Sequence, residues 1–127
     1  MADVKNYVDV PGTFISAIGK PEIYKGKLVK ATSAIESTPI IEECIDDDDV
    51  FLGVVVGQEP TRVAGDDDDP LYLYTVQISG YAVTYANLAC GWHNVAFKDG
   101  ELDDTGDGSG RGINVINGDN GKIGFIF

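Results

Sequence analysis

Basic residues are scarce in this sequence: nine Lys and Arg stand against 21 Asp and Glu, giving a net charge of −12 and an isoelectric point near 4.1. Nucleic-acid binders release counterions from phosphates through clustered Lys and Arg. Here the basic residues are scattered or widely spaced, as in Lys20, Lys25, Lys27 and Lys30, so direct DNA or RNA binding is disfavoured. The same argument disfavours an anionic membrane surface. No apolar run approaches the ~18–20 residues that span a bilayer as a helix. The N-terminus, Met-Ala-Asp-Val-Lys, lacks the basic-then-apolar pattern of a secretory leader, which predicts a protein made in the cytoplasm and used without export. Long stretches with a 3.6-residue apolar period are missing too, which removes the main signal for helices.

Histidine and cysteine are nearly as rare. His93 is the single histidine and the cysteines are Cys44 and Cys90. No Cys-x-x-Cys or Cys/His spacing supports a metal site. The cysteines read as small buried apolar residues, with a disulfide as the alternative. A general base needs a nucleophile or orienting acid within reach. Nothing around Gly91-Trp92-His93-Asn94 resembles such a motif, so His93 reads as a turn residue beside a packed tryptophan. The sequence predicts no catalytic residues, no metal ligands and no cofactor.

What is present is a rhythm of short Val-, Ile-, Tyr- and Phe-rich runs punctuated by glycine and acidic clusters, which reads as strands joined by turns. Strands are expected over Thr13–Ile18, Ile23–Ala31, Pro39–Cys44, Val50–Gly57, Leu71–Ala86, Asn94–Lys98, Ile113–Ile116 and Lys122–Phe127. Val50–Gly57 is apolar at successive positions and should lie in a buried central strand. In Leu71–Ala86 the apolar residues Tyr72, Tyr74, Val76 and Ile78 share one parity, whereas Tyr81, Val83 and Tyr85 share the other. That switch predicts a bulge or bend at Ser79-Gly80. Asn117–Gly121 should turn a terminal hairpin. In that hairpin Ile123, Phe125 and Phe127 lie on one face, and the final strand should be tied down. Glu101–Gly112 reads as a mobile surface loop. Residues 1–12 read as an extended arm ending at Pro11-Gly12, and 13–127 as a single β domain. The expected class is all-β, a small barrel or sandwich.

Two aspartate runs, Asp46–Asp49 and Asp66–Asp69, could serve a hard cation, but consecutive carboxylates diverge, and solvated acidic loops are the simpler reading. Asp103–Asn114 partly fits a calcium loop yet lacks the closing Glu and the flanking helices. Gly106–Gly110 lacks the strand, helix and lysine of a phosphate loop. Tyr72, Tyr74, Tyr81 and Tyr85 could stack on bases or sugars, but the basic groove that single-strand binding needs is missing. Core packing or a protein interface suits them better.

In order, the chain presents Lys25-Gly26-Lys27-Leu28-Val29-Lys30, Phe51-Leu52-Gly53-Val54-Val55-Val56, Val76-Gln77-Ile78-Ser79-Gly80-Tyr81-Ala82-Val83, Leu88-Ala89-Cys90-Gly91, Lys98-Asp99-Gly100 and Gly121-Lys122-Ile123-Gly124-Phe125. Over residues 12–127 this order resembles the small capsid decoration, or cement, proteins of tailed viruses. The two Asp runs and the Glu101–Gly112 loop are extra to that pattern. The resemblance implies a β-tulip-like or barrel fold, a homotrimer on the shell, and a place on the outer surface of the virion. There it would clamp neighbouring copies of the major capsid protein. The arm would contribute Val4, Tyr7, Val8 and Val10 by adding a strand to a partner's sheet edge. An acidic calcium- or small-ligand-binding barrel, or another virion component such as a tail or fibre protein, is the alternative.

Overall fold

The computed structural model describes residues 11–46, 49–103 and 111–127. The proposed arm residues Val4, Tyr7, Val8 and Val10 lie outside them. The class is all-β, as the sequence predicts. The described residues form eleven strands: β1 Thr13–Gly19, β2 Leu28–Ile35, β3 Thr38–Glu43, β4 Gly53–Gly65, β5 Pro70–Ser79, β6 Tyr81–Tyr85, β7 Gly91–Asn94, β8 Ala96–Lys98, β9 Glu101–Asp103, β10 Gly112–Asp119 and β11 Lys122–Ile126. Strands β1-β3-β2-β4-β5 close into a barrel, β6-β11-β10-β7 form a four-stranded sheet, and β8-β9 form a ribbon. The barrel closes through β1, which runs parallel to β3 and antiparallel to β5. Among the described residues no helix is long and apolar enough to cross a membrane.

Two cores explain why some strands are apolar at consecutive positions. Val29, Val55, Ala17, Ile41, Tyr74 and Val76 fill the barrel. Leu28, Val54, Phe51, Ile113, Val115, Ile123 and Phe125 pack between the barrel and the sheet. Because neighbouring residues on a strand point to opposite faces, Leu28-Val29 and Val54-Val55 each feed both cores at once. Fully burying such a side chain contributes roughly 1.5–3 kcal/mol. The expectation of a central buried strand in Val50–Gly57 holds for Gly53–Val55, whereas Val50 is exposed.

Gly80 separates β5 from β6. Its φ is +97°, a conformation that an L side chain resists. A Cβ there would lie 2.8 Å from Gly12 Cα and Pro11 O. The predicted bend is therefore present, and it carries the chain from the barrel to the four-stranded sheet. The final residue is paired, because Gly80 and Phe127 exchange both backbone hydrogen bonds, at 3.1 and 3.2 Å.

Several boundaries differ from expectation. Residues 21–27 form turns, with Gly26 at φ +93°, so the second strand starts at Leu28. Gln58 carries β4 beyond Gly57, and the β4–β5 ladder runs out to Gly65↔Pro70. Glu36-Ser37, Asp99-Gly100 and Asn120-Gly121 each have both φ values positive, the backbone of a tight two-residue hairpin turn. Asp99-Gly100 pairs β8 with β9, so Glu101–Asp103 is a strand and not the start of a loop. The expected Asn94–Lys98 strand is split, with Gly91–Asn94 joining the sheet and Ala96–Lys98 the ribbon.

Candidate protein-binding surface

The turn before β2 is pinned on two sides. Gly26 N–H donates to Val55 O at 2.7 Å, and Thr84 Oγ1 donates to Gly26 O at 2.8 Å. This places Tyr24, Lys25 and Lys27 beside the end of β6. The exposed rings of Tyr24 and Tyr85 lie 6.3 Å apart at 58°. Each has an ammonium over it: Lys27 Nζ is 5.6 Å from the Tyr24 centroid and Lys122 Nζ is 5.3 Å from that of Tyr85. Lys27 also donates to Gly100 O at 3.2 Å and lies 3.9 Å from Glu43.

Two clefts flank this pair. One, of about 400 Å³, opens towards the β8-β9 ribbon and is lined by residues including Lys27, Asn87, Phe97 and Glu101. The other, of about 470 Å³, runs along β6 and faces Val54–Val56, Lys25, Gln77 and Lys122. Its lining carries two lysines and no carboxylate, in a chain where acids outnumber bases 21 to 9.

Along β6 the backbone groups alternate in direction. Gly80 and Ala86 bond to β11 and its flanks, through Phe127 and Gly121. In an antiparallel ladder every second residue points its amide and carbonyl the same way, so Ala82 and Thr84 face β11. Tyr81, Val83 and Tyr85 face away. Tyr81 O accepts from Gln77 Nε2 at 2.7 Å. No strand among the described residues pairs with this outer side.

The tyrosines part company. Tyr74 is buried in the barrel; its hydroxyl donates to Lys20 O and accepts from Gln58 Nε2 at 2.6 Å. Burial raises its pKa, despite the Gln58 contact. Tyr81 covers the bare Cα of Gly124, and its hydroxyl meets the Asn117 side chain at 3.2–3.3 Å. Tyr85 is 56 % exposed. The buried apolar positions stay even-numbered across the bend, Tyr74 and Val76 in β5 and Ala82 in β6, whereas the buried polar residues of these strands are Gln77 and Thr84, one of each parity. Tyr74 and Val76 face the barrel core and Ala82 faces the core between barrel and sheet, so the bend exchanges cores while the buried apolar parity stays the same. The apolar parity switch leaves Val83 and Tyr85 apolar and outside.

The acidic runs serve local structure. Asp49 is buried; it accepts from Lys30 Nζ at 2.6 Å and from the amides of Ile45 and Asp46 at 2.8 and 2.9 Å. Burial opposes its ionisation, but the ammonium and the two amides prevail and hold its pKa at about 2. Asp46–Asp49 is thus not wholly solvated, although 47 and 48 lie outside the described residues. Asp66 Oδ1 accepts from the amides of Asp68 and Asp69, which closes the β4–β5 turn. Asp67 pairs with Arg62 at 2.6 Å. Among the described residues no His, Cys, Asp or Glu cluster is arranged to hold a metal ion. The calcium-loop pattern spans 104–110, which the structure does not describe.

His93 sits on strand β7 and not in a turn; its Nε2 lies 2.6 Å from Ala89 O. Trp92 is 63 % exposed, so the packed tryptophan is corrected, although its ring covers Gly112. Cys44 is buried, Cys90 is exposed, and both are free thiols. The reading of two buried cysteines holds for Cys44 only.

Tyr24, Lys25, Val83 and Lys122 were not expected as surface residues of one site. The turn signal was Gly26 between two lysines, but only the fold brings that turn against β6. Comparison with known families, curated proteins and solved structures finds no match.

Proposed function

We propose that this protein is a structural decoration protein that binds the outer surface of an icosahedral viral shell and bridges neighbouring major capsid subunits. The observation that carries the reading is the outer edge of β6, which no strand among the described residues pairs with, flanked by the exposed side chains of Tyr24, Val83 and Tyr85. Aromatic residues on a sheet edge are suited to protein interfaces, where they bury large area at low entropic cost. The closed barrel has no edge of its own to pair with other chains, so the open strand edges among the described residues belong to the sheet and the short ribbon. The order of sequence elements that resembles cement proteins supports the same reading.

In this account each copy makes modest contacts, and repetition over symmetry-related positions makes their sum large. Homotrimers form on the shell around threefold positions. The acidic remainder of the surface keeps copies apart in solution and does not compete for packaged nucleic acid.

Co-sedimentation with expanded capsids that lack this protein tests the role. The protein is expected in the pellet at a stoichiometry set by the capsid lattice, and the double variant Tyr24→Ala, Tyr85→Ala is expected to remain in the supernatant. Wild-type protein left in the supernatant contradicts the role.

A further inference from the structure

We propose that the cleft beside β6 is a strand-addition site for an extended, acidic segment of the partner protein. In this site the segment's backbone pairs with Val83 and Tyr85, and its carboxylates meet Lys25 and Lys122. The word partner rests on the decoration reading; the chemistry of the cleft does not.

Three observations converge on this occupant. The peptide groups of Val83 and Tyr85 face away from β11 and have no strand partner among the described residues. A sheet edge in that state is a template for one more strand. The cleft along it holds about 470 Å³, room for an extended chain, and its far wall is the β4 segment of Val54, Val55 and Val56, of which Val56 alone is not fully buried. Its charged lining is Lys25 and Lys122 alone. A basic segment would meet these two ammoniums, whereas an acidic one complements them, and such complementarity selects partners more than it adds affinity. The neighbouring cleft is less suited, because Glu101 lines it and Lys27 is already engaged with Gly100 and Glu43.

The probe is a short peptide alternating Asp and Val, capped at both ends, added to the full chain at about 0.15 M salt, where the protein's net charge is screened beyond ~8 Å. Amide hydrogen exchange of Val83 and Tyr85 is followed by NMR. Both amides are expected to exchange freely alone and to slow by about tenfold or more at saturating peptide. The same peptide N-methylated at every residue, which removes the donors it would turn towards the Val83 and Tyr85 carbonyls, is expected to give no protection. A Lys-Val peptide is expected to bind at least about tenfold more weakly. The double variant Lys25→Glu, Lys122→Glu changes only exposed side chains and should keep the wild-type circular dichroism spectrum while losing the acidic peptide.

No protection at millimolar peptide overturns the proposal, as does equal binding of the N-methylated or Lys-Val peptide, or an unaffected double variant. Protection of both amides before any peptide is added also overturns it, since the edge would then be occupied by the chain itself or by a second copy. The peptide assay reads the cleft and co-sedimentation reads the decoration role, so either can fail while the other stands.

Discussion

Lys30 Nζ lies 2.6 Å from Asp49 Oδ1, tying strand β2 to the segment that leads into β4. The contact turns an aspartate from an acidic run into a structural anchor. Asp49→Asn removes the charge but keeps the shape, and leaves the Lys30 ammonium, still partly exposed, without its carboxylate. The expected loss is about 2 kcal/mol in urea unfolding. The pH dependence follows from the two shifts. Asp49 titrates lower in the folded chain, at about 2, than in the unfolded one near 3.9. Its contribution is complete above the unfolded value and fades as pH falls through about 4 to 2. Lys30 is raised, chiefly by its hydrogen bond to Asp49, so its contribution is complete below its unfolded pKa and fades as pH rises through the folded one. Urea midpoints of wild type and Asp49→Asn should therefore converge towards pH 2 and differ most between pH 5 and 8.

Arg111 joins the sheet to the barrel. Its guanidinium donates to Leu52 O at 2.9 Å and Ile78 O at 2.7 Å, and lies 4.7 Å from the centroids of both Phe51 and Phe127. Burial lowers its pKa, yet a guanidinium stays charged at any ordinary pH. Lysine has one nitrogen and no planar fork, so Arg111→Lys should cost about 1–2 kcal/mol. Arg111→Ala also loses the packing between the two rings and should cost about 3 kcal/mol. Urea unfolding of both variants checks the order.

Two glycines should behave in opposite ways. Gly80→Ala forces a Cβ onto Gly12 and Pro11 at positive φ, and should lower stability by about 2–3 kcal/mol. Around Gly57 an added Cβ meets nothing within 4 Å and φ is not positive. Gly57→Ala should be neutral or stabilising by up to about 1 kcal/mol. Thermal unfolding of the pair separates backbone strain from general sensitivity to substitution.

The cysteines should differ in reactivity. Burial is the main reason the Cys44 thiol is pushed up to about 12, with the nearby Asp49 carboxylate adding to it. The exposed Cys90 thiol donates to Ile116 O at 3.3 Å. A thiol reagent at pH 8 should label Cys90 rapidly and Cys44 only on unfolding. Rapid labelling of both in the native protein would contradict the placement of Cys44 in the core.

The strand class and the bend at Ser79-Gly80 were legible because alternation and glycine act locally. The terminal hairpin was legible for the same reason, through Asn120-Gly121. The β2–β3 hairpin was hidden, because Glu36-Ser37 adopts positive φ without the Gly, Asn or Asp that such turns favour. Ile23 looked like part of a strand because it is apolar, yet it is buried from a turn. The exposure of Val83, Tyr85 and Trp92 could not be read from type, since apolar residues on a sheet's outer face alternate just as core residues do. The candidate surface depends on residues far apart in sequence, Lys25 and Lys122, that only the sheet topology brings to one cleft. The sequence carries the two lysines that make it cationic, but not the reason they share a cleft.

In the proposed role this β domain works as an adhesive on a capsid. Electron cryomicroscopy of particles carrying it, at a resolution that separates strands, tests this most directly. The account predicts barrel-and-sheet density at symmetric sites on the outer shell, with β6 against a capsid subunit. Density on the tail, inside the shell, or at no fixed site would contradict it.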